Sequence, residues 1–213
     1  IKILKLLGIK CCVIQRDKDL DKFEKLIELS KRKNLSVACL IKKSAIISKK
    51  NTIKKRERNN YKIFRYKFIK ELINSIKIKT NIISSTGFIS RELDNILIKK
   101  KNSKIKSFYM VGGMGHTASL ALGASLKSSK QIICLDGDGS LLMHTGSLGI
   151  VTKFAKKNFK YILFRNDSHE SVGNQTTNSK HINYRMLSKS FGFRSYFLIT
   201  NEIKLNNILN KII

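Results

Sequence analysis

A chain of 213 residues is long enough for one substantial core, or for one full domain with part of another. Lys+Arg 43 against Asp+Glu 14 give a formal charge of +29, yet the lysines run from Lys2 to Lys211 without the arginine forks and stacking aromatics of a nucleic-acid face, so no nucleic-acid role is expected. No apolar run approaches the roughly 18 to 20 residues of a membrane span, and Cys11, Cys12, Cys39 and Cys134 lack CxxC or zinc-site spacing, so a reducing, cytoplasmic setting without membrane attachment is expected.

The chain opens at Ile1 inside an apolar, strand-like run, Ile1 to Leu7, and is therefore expected to be a piece of a longer protein. Residues 1–47 read as strand, helix, strand: the apolar start, the helical period of Leu20, Phe23, Leu26, Ile27 and Leu29, then Val37 to Ile41. Residues 48–62, SKKNTIKKRERNNYK, are polar, basic and aperiodic, which marks a solvated linker and a domain boundary.

Beyond that boundary Ile63 to Ile76 has helical spacing, Asn81 to Ser84 reads as a short strand, and Ser90 as the start of a helix with Glu92 in its first turn. Tyr109 to Val111 follows as a strand, His116 to Leu126 as a small-residue helix, and Gln131 to Leu135 as a buried strand in which Cys134 is a small core residue. Ser140 to Ala155 is expected to be one helix, Tyr161 to Phe164 a buried strand, Arg194 to Ile199 a last strand and Glu202 to Ile212 a last helix. This alternation predicts an α/β fold, a parallel sheet with helices on both faces, in residues 63–213. Ligands in such folds sit at the carboxyl ends of the strands.

Asp136-Gly137-Asp138-Gly139-Ser140 follows a buried strand and opens a helix. The glycines permit a sharp turn and close approach of a ligand, while Ser140 and the helix start offer N–H donors to an anion. Asp138 would project a carboxylate beside that anion, an arrangement that calls for a bridging hard cation such as Mg²⁺. A tight turn with an aspartate cap is the bland alternative for an isolated GDG. Arg165-Asn166-Asp167-Ser168-His169 follows the next strand, and neighbouring strand ends would bring the Asn166 amide oxygen beside Asp138.

GDG followed by a helix, a strand and an asparagine-bearing turn resembles the diphosphate-binding domain of thiamine-diphosphate enzymes. VGGMGHTASLALGASL, LDGDGSLLMHTGSLG, RNDSHESVGNQTT and STGFISREL resemble segments of phosphonopyruvate decarboxylases, in the same order, and of the similar sulfopyruvate decarboxylases. VACLIKKSAI, residues 37–46, is similar to the closing strand of the preceding pyrimidine-binding domain, so residues 1–47 would be its remnant.

The resemblance implies thiamine diphosphate and Mg²⁺ as cofactors, with Asp138, Asn166 and the carbonyl of Ser168 on the metal. Gly137, Gly139 and Ser140 would line the diphosphate together with Thr86 and Gly87. Gly112, Gly113 and Met114 would hold the aminopyrimidine, with Met114 wedged beneath the bent cofactor. His116 and His169 are candidate catalytic imidazoles; His144 lies inside a matched segment, His181 outside them, and Gln175 in a loop suited to closing over substrate. The family pattern has asparagine where this chain has Arg165, which puts local packing in question.

The activity implied is decarboxylation of a small 2-oxo acid, phosphonopyruvate to phosphonoacetaldehyde and CO₂, as in phosphonate biosynthesis. Sulfopyruvate decarboxylation and a non-catalytic cofactor-binding fragment are the alternatives. The family draws an activating glutamate from the pyrimidine-binding domain, usually of another subunit. Glu24 and Glu28 read as exposed helix positions, so a homo-oligomer or a partner subunit is expected to supply it, and this chain alone is not expected to turn over.

Overall fold

The structure is a computed structural model that describes residues 1–43, 45–46, 63–100 and 102–212. The chain divides into two compact units, Ile1–Asn59 and Asn60–Ile213. The expected linker, residues 48–62, lies outside the described residues.

In the first unit helix α1 (Lys2–Leu6) precedes strand β1 (Lys10–Ile14), helix α2 (Leu20–Lys33) and strand β2 (Val37–Ile41). The opening run is thus a helical turn and not the expected strand. Ile3, Leu6 and Leu7 recur at the i, i+3, i+4 spacing of a helix, and Gly8, at φ 70°, takes the left-handed conformation that ends one. The strand falls on Lys10–Ile14, which pairs in parallel with β2 from Lys10↔Val37 to Ile14↔Ile41. Between them α2 buries Leu26 and stops at Asn34, φ 49°. Glu24 and Glu28 are exposed, as their spacing predicts.

The second unit is built on a four-stranded, all-parallel sheet in the order β4-β3-β5-β6, formed by β3 (Thr80–Ser85), β4 (Ile105–Met110), β5 (Gln131–Gly137) and β6 (Phe159–Phe164). Side chains of β5 alternate between two cores, as the period of two in a strand requires. Ile133 and Leu135 pack with helices α3 (Arg65–Ser75), α4 (Phe88–Lys100) and α9 (Glu202–Ile212). Ile132 and Cys134 pack on the other face with α5 (Thr117–Lys127), α6 (Asp138–Met143) and α7 (Ser147–Phe154). Helices therefore cover both faces, the expected α/β arrangement. Among the described residues no helix is long and apolar enough to cross a membrane.

Four local expectations are corrected. Helix α4 starts at Phe88, so Ser90 lies inside it, donating from Oγ to the Ser85 carbonyl at 2.7 Å, and Glu92 leaves the first turn to pair with Arg65. The single helix expected over 140–155 is two, because His144, at φ −146° and ψ 44°, leaves helical geometry between them. Freed carbonyls there are met by Thr145 Oγ1, which donates to Leu141, and Ser147 Oγ, which donates to His144. Strand β6 is half-buried along its length, because it lies at one edge of the sheet. Residues 194–199 form no strand: after α8 (Tyr184–Ser190) and Gly192 the chain finds no ladder partner, and Tyr196, Phe197 and Leu198 remain exposed.

Candidate functional site at the switch point of the sheet

From β3 the chain passes to β4 on one side, then crosses to β5 on the other, so β3 and β5 flank the point where the winding reverses. The loops leaving these two strands diverge there and open a cleft at their carboxyl ends, where an α/β sheet binds its ligands. Ser85 and Thr86 line it from β3, Gly137 to Ser140 from β5, and Asn166 with Ser168 from beyond β6. Met114 also reaches it from the turn after β4.

Asp138 is 2% exposed, at the first position of α6. Three donor groups lie within hydrogen-bond distance of its Oδ2: Asp167 N at 2.9 Å, Thr177 Oγ1 at 2.7 Å and Ser179 Oγ at 2.6 Å. None of them uses Oδ1. Asn166 is held from both ends of its amide: Oδ1 accepts from Ser168 N at 3.1 Å, and Nδ2 donates to Glu170 Oε2 at 3.2 Å. Ser168 is 8% exposed and bridges antiparallel to Thr176, so residues 168–176 form a hairpin-like loop at the mouth of the cleft. Carboxylate, amide and peptide carbonyl form an all-oxygen set suited to a hard divalent cation that also takes phosphate oxygens. Among the described residues no group of three or more His, Cys, Asp or Glu side chains could hold a metal ion, so any such ion would rely on this mixed set.

The other expected residues divide between this cleft and its rim. Gly139 is close-packed: a Cβ there would lie 2.6 Å from His169 Cε1 and 2.9 Å from its Nδ1, so the His169 ring rests on the GDG turn. Gly87, at φ 100°, faces Ser171 Oγ, 2.9 Å from where its Cβ would be. Ser140 is buried and its Oγ accepts from Gly115 N at 3.1 Å, which ties the turn after β4 to the start of α6. Gly112, at φ 78°, is exposed and Gly113 half-buried in that turn. His116 does not join His169. It flanks the start of α5 without a side-chain cap and meets His144, Nδ1 to Nδ1 at 3.1 Å with the rings edge to face. Gln175 is exposed and its carbonyl accepts from His169 N.

Several contacts at the site could not be read from the sequence. Thr177 and Ser179 stand 39 and 41 positions from Asp138 and reach it only because the 168–176 loop folds back. Arg65, from the start of α3, lines the cleft, donates twice to Glu92 at 2.8 and 2.9 Å and once to Glu170 at 2.9 Å. Burial opposes its charge, but the two carboxylates outweigh burial and raise its pKa. Asp136, 1% exposed, accepts from Tyr161 OH at 2.9 Å; burial pushes its carboxyl above the usual range against hydrogen bonds from Ser140, Tyr161, Gly137 and Ser85. Arg165, which replaces the expected asparagine, donates from Nε to Asp167 Oδ1 at 2.8 Å and lies over the Tyr184 ring.

Relatives share this stretch of chain. The chain is 34% identical over 129 residues to the sulfopyruvate decarboxylase subunit beta of Methanocaldococcus jannaschii, covering 60% of this chain and 66% of that subunit. The subunit beta of Methanococcus maripaludis is 34% identical over 138 residues, 65% of this chain and 71% of its own length. The phosphonopyruvate decarboxylase of Streptomyces viridochromogenes is 31% identical over 141 residues, 66% of this chain but 34% of that enzyme. The family described as thiamine pyrophosphate enzyme, C-terminal TPP binding domain, matches residues 86–213, which begin just after β3 and include the Asp138 and Asn166 turns. The chain belongs to the thiamine pyrophosphate enzymes and carries their C-terminal, cofactor-binding domain.

Proposed function

We propose that this chain supplies the metal-and-diphosphate half of a 2-oxo-acid decarboxylase, with Mg²⁺ held by Asp138 Oδ1, Asn166 Oδ1 and the Ser168 carbonyl. The observation that carries this reading is the placing of Asp138: Asp167 N, Thr177 Oγ1 and Ser179 Oγ converge on one carboxylate oxygen inside the cleft, and none of these contacts occupies the other. Thr86, Gly87, Gly137, Gly139 and Ser140 would line the diphosphate, and Gly112, Gly113 and Met114 the aminopyrimidine. Thiamine diphosphate supplies the electron sink for loss of CO₂. The chain's own part is to bind and orient, to balance phosphate charge through Mg²⁺, and to exclude water as the 168–176 loop closes. His169, resting on Gly139, and His116 are the imidazoles assigned to orienting substrate or carrying a proton.

The substrate in this reading is phosphonopyruvate, released as phosphonoacetaldehyde and CO₂. Sulfopyruvate is the second reading, favoured by relatives whose names carry that activity at 34% identity. Those relatives are beta subunits, and Glu24 and Glu28 on α2 are exposed. We therefore assign the activating glutamate to a partner subunit or a second copy, residues 1–47 to the end of a pyrimidine-binding domain, and residues 63–213 to the cofactor-binding domain.

The test is CO₂ release from each acid by the complete protein with its partner chains. Release from phosphonopyruvate at least tenfold faster than from sulfopyruvate supports the first reading, and the reverse order supports the second. Binding of cofactor without CO₂ from either acid would leave a non-catalytic cofactor-binding domain.

A further inference from the structure

Arg165 is exposed, its side chain at 37%, and its guanidinium meets the chain of contacts that ends at Asp138. Nε donates to Asp167 Oδ1 at 2.8 Å, a terminal nitrogen lies 3.4 Å from Asp167 Oδ2, and the planar group stands 5.6 Å from the Tyr184 ring centroid. Asp167 is 8% exposed and sits at φ 56°, a left-handed turn that aspartate tolerates better than most residues. That turn aims its own N–H at Asp138 Oδ2, 2.9 Å away. Ser179, fully buried, touches both acids: its Oγ is hydrogen-bonded to Asp167 Oδ1 and lies 2.6 Å from Asp138 Oδ2.

A hydroxyl carries a single proton and cannot donate to two carboxylates at once. The two buried acids therefore face each other across one serine, and their repulsion in a region of low dielectric must be offset by cations nearby. Arg165 supplies a cation on the Asp167 side. Lysine would not serve equally, because the guanidinium fork meets Asp167 while its flat face stacks on Tyr184. Asp167 N and Ser179 Oγ both reach Asp138 at Oδ2, which fixes the orientation of Oδ1.

Resting on the reading of Asp138 as a metal ligand, we propose that Arg165 is a positioning residue for the metal site, acting through Asp167 and Ser179 to fix the Asp138 carboxylate. Groups that hold a metal ligand in this way typically govern affinity by about 10- to 100-fold.

The test uses Mn²⁺ as the probe, an ion with the same preference for oxygen donors, titrated into the complete protein at saturating thiamine diphosphate and read by the loss of the free-ion electron paramagnetic resonance signal. Arg165→Met and Ser179→Ala should each weaken Mn²⁺ about tenfold or more, Arg165→Lys should recover part of the loss, and the double variant should bind no worse than the weaker single one, as expected when both act through one path. Melting of the metal-free proteins provides the comparison: a merely structural role would lower the melting temperature and leave Mn²⁺ affinity at the wild-type value, which would overturn the proposal. Losses that add in full in the double variant would overturn it as well. Asp138→Ala separates the two levels. If it abolishes Mn²⁺ binding while the Arg165 and Ser179 variants bind normally, the positioning role alone fails; if Asp138→Ala itself binds normally, the metal-site reading fails and the positioning role with it.

Discussion

The backbone N–H of Asp167 donates to Asp138 Oδ2 at 2.9 Å and joins the turn after β6 to the turn after β5. Thr177 adds a second donor to the same oxygen at 2.7 Å, and both residues of that pair are buried. Removing the hydroxyl while keeping the shape isolates this bond. Thr177→Val should cost about 1.5–3 kcal/mol, the usual range for a hydrogen bond to a charged group, measured by urea unfolding of the metal-free protein. A loss below about 0.5 kcal/mol would mean the Asp138 carboxylate is not held by these donors.

Two glycines of the site should respond to alanine in different ways. At Gly139 the new Cβ would meet the His169 ring at 2.6 Å and Thr177 Cγ2 at 3.1 Å, so the imidazole must move. Gly139→Ala should cost about 1–3 kcal/mol, as overpacking does, and shift the His169 ring resonances. At Gly112 nothing lies within 4 Å, and only the φ of 78° opposes a side chain. Gly112→Ala should cost about 1–2 kcal/mol and leave the His169 resonances where they are.

The sheet and the turn that carries Asp138 in the candidate site were legible in the sequence because each rested on a local signal. Hydrophobic runs of strand length gave β3, β5 and β6, and the GDG turn after a buried strand gave Asp138. Contacts that depend on the return of a loop were not legible: nothing in the spacing of Thr177, Ser179 or Arg65 announces a meeting at the cleft. The opening strand failed because Ile3, Leu6 and Leu7 satisfy a helical period that an apolar run conceals, with Gly8 ending the turn. The expected strand at 194–199 failed for a different reason. Aromatic and branched residues favour extended backbone, but a strand exists only where a neighbour accepts its ladder.

In the first unit Asp19 is 7% exposed and its Oδ2 accepts the backbone N–H groups of Gln15 and Arg16 at 3.0 and 3.2 Å, while Lys22 reaches Oδ1 at 2.7 Å. Lys22 above all, with those backbone donors, lowers the Asp19 pKa from 3.8 to about 2. A depressed acid pKa adds stability above the unfolded value, and that stability is lost as pH falls through the folded value. The midpoint of urea unfolding, followed by a probe in this unit, should therefore fall between pH 4 and pH 2. Asp19→Asn should flatten that limb and leave the unit weaker at neutral pH. An unchanged acid limb in the variant would assign the loss to other carboxylates.

In the proposed function Asp138 anchors a metal-bridged diphosphate. Isothermal titration of thiamine diphosphate into the complete protein at fixed Mg²⁺ measures it directly, with Asp138→Ala as the comparison. Wild-type protein should bind only when Mg²⁺ is present, and Asp138→Ala should lose at least about 100-fold in affinity, a change of about 2.7 kcal/mol. Binding that is independent of Mg²⁺, or that survives Asp138→Ala within about threefold, would contradict the account.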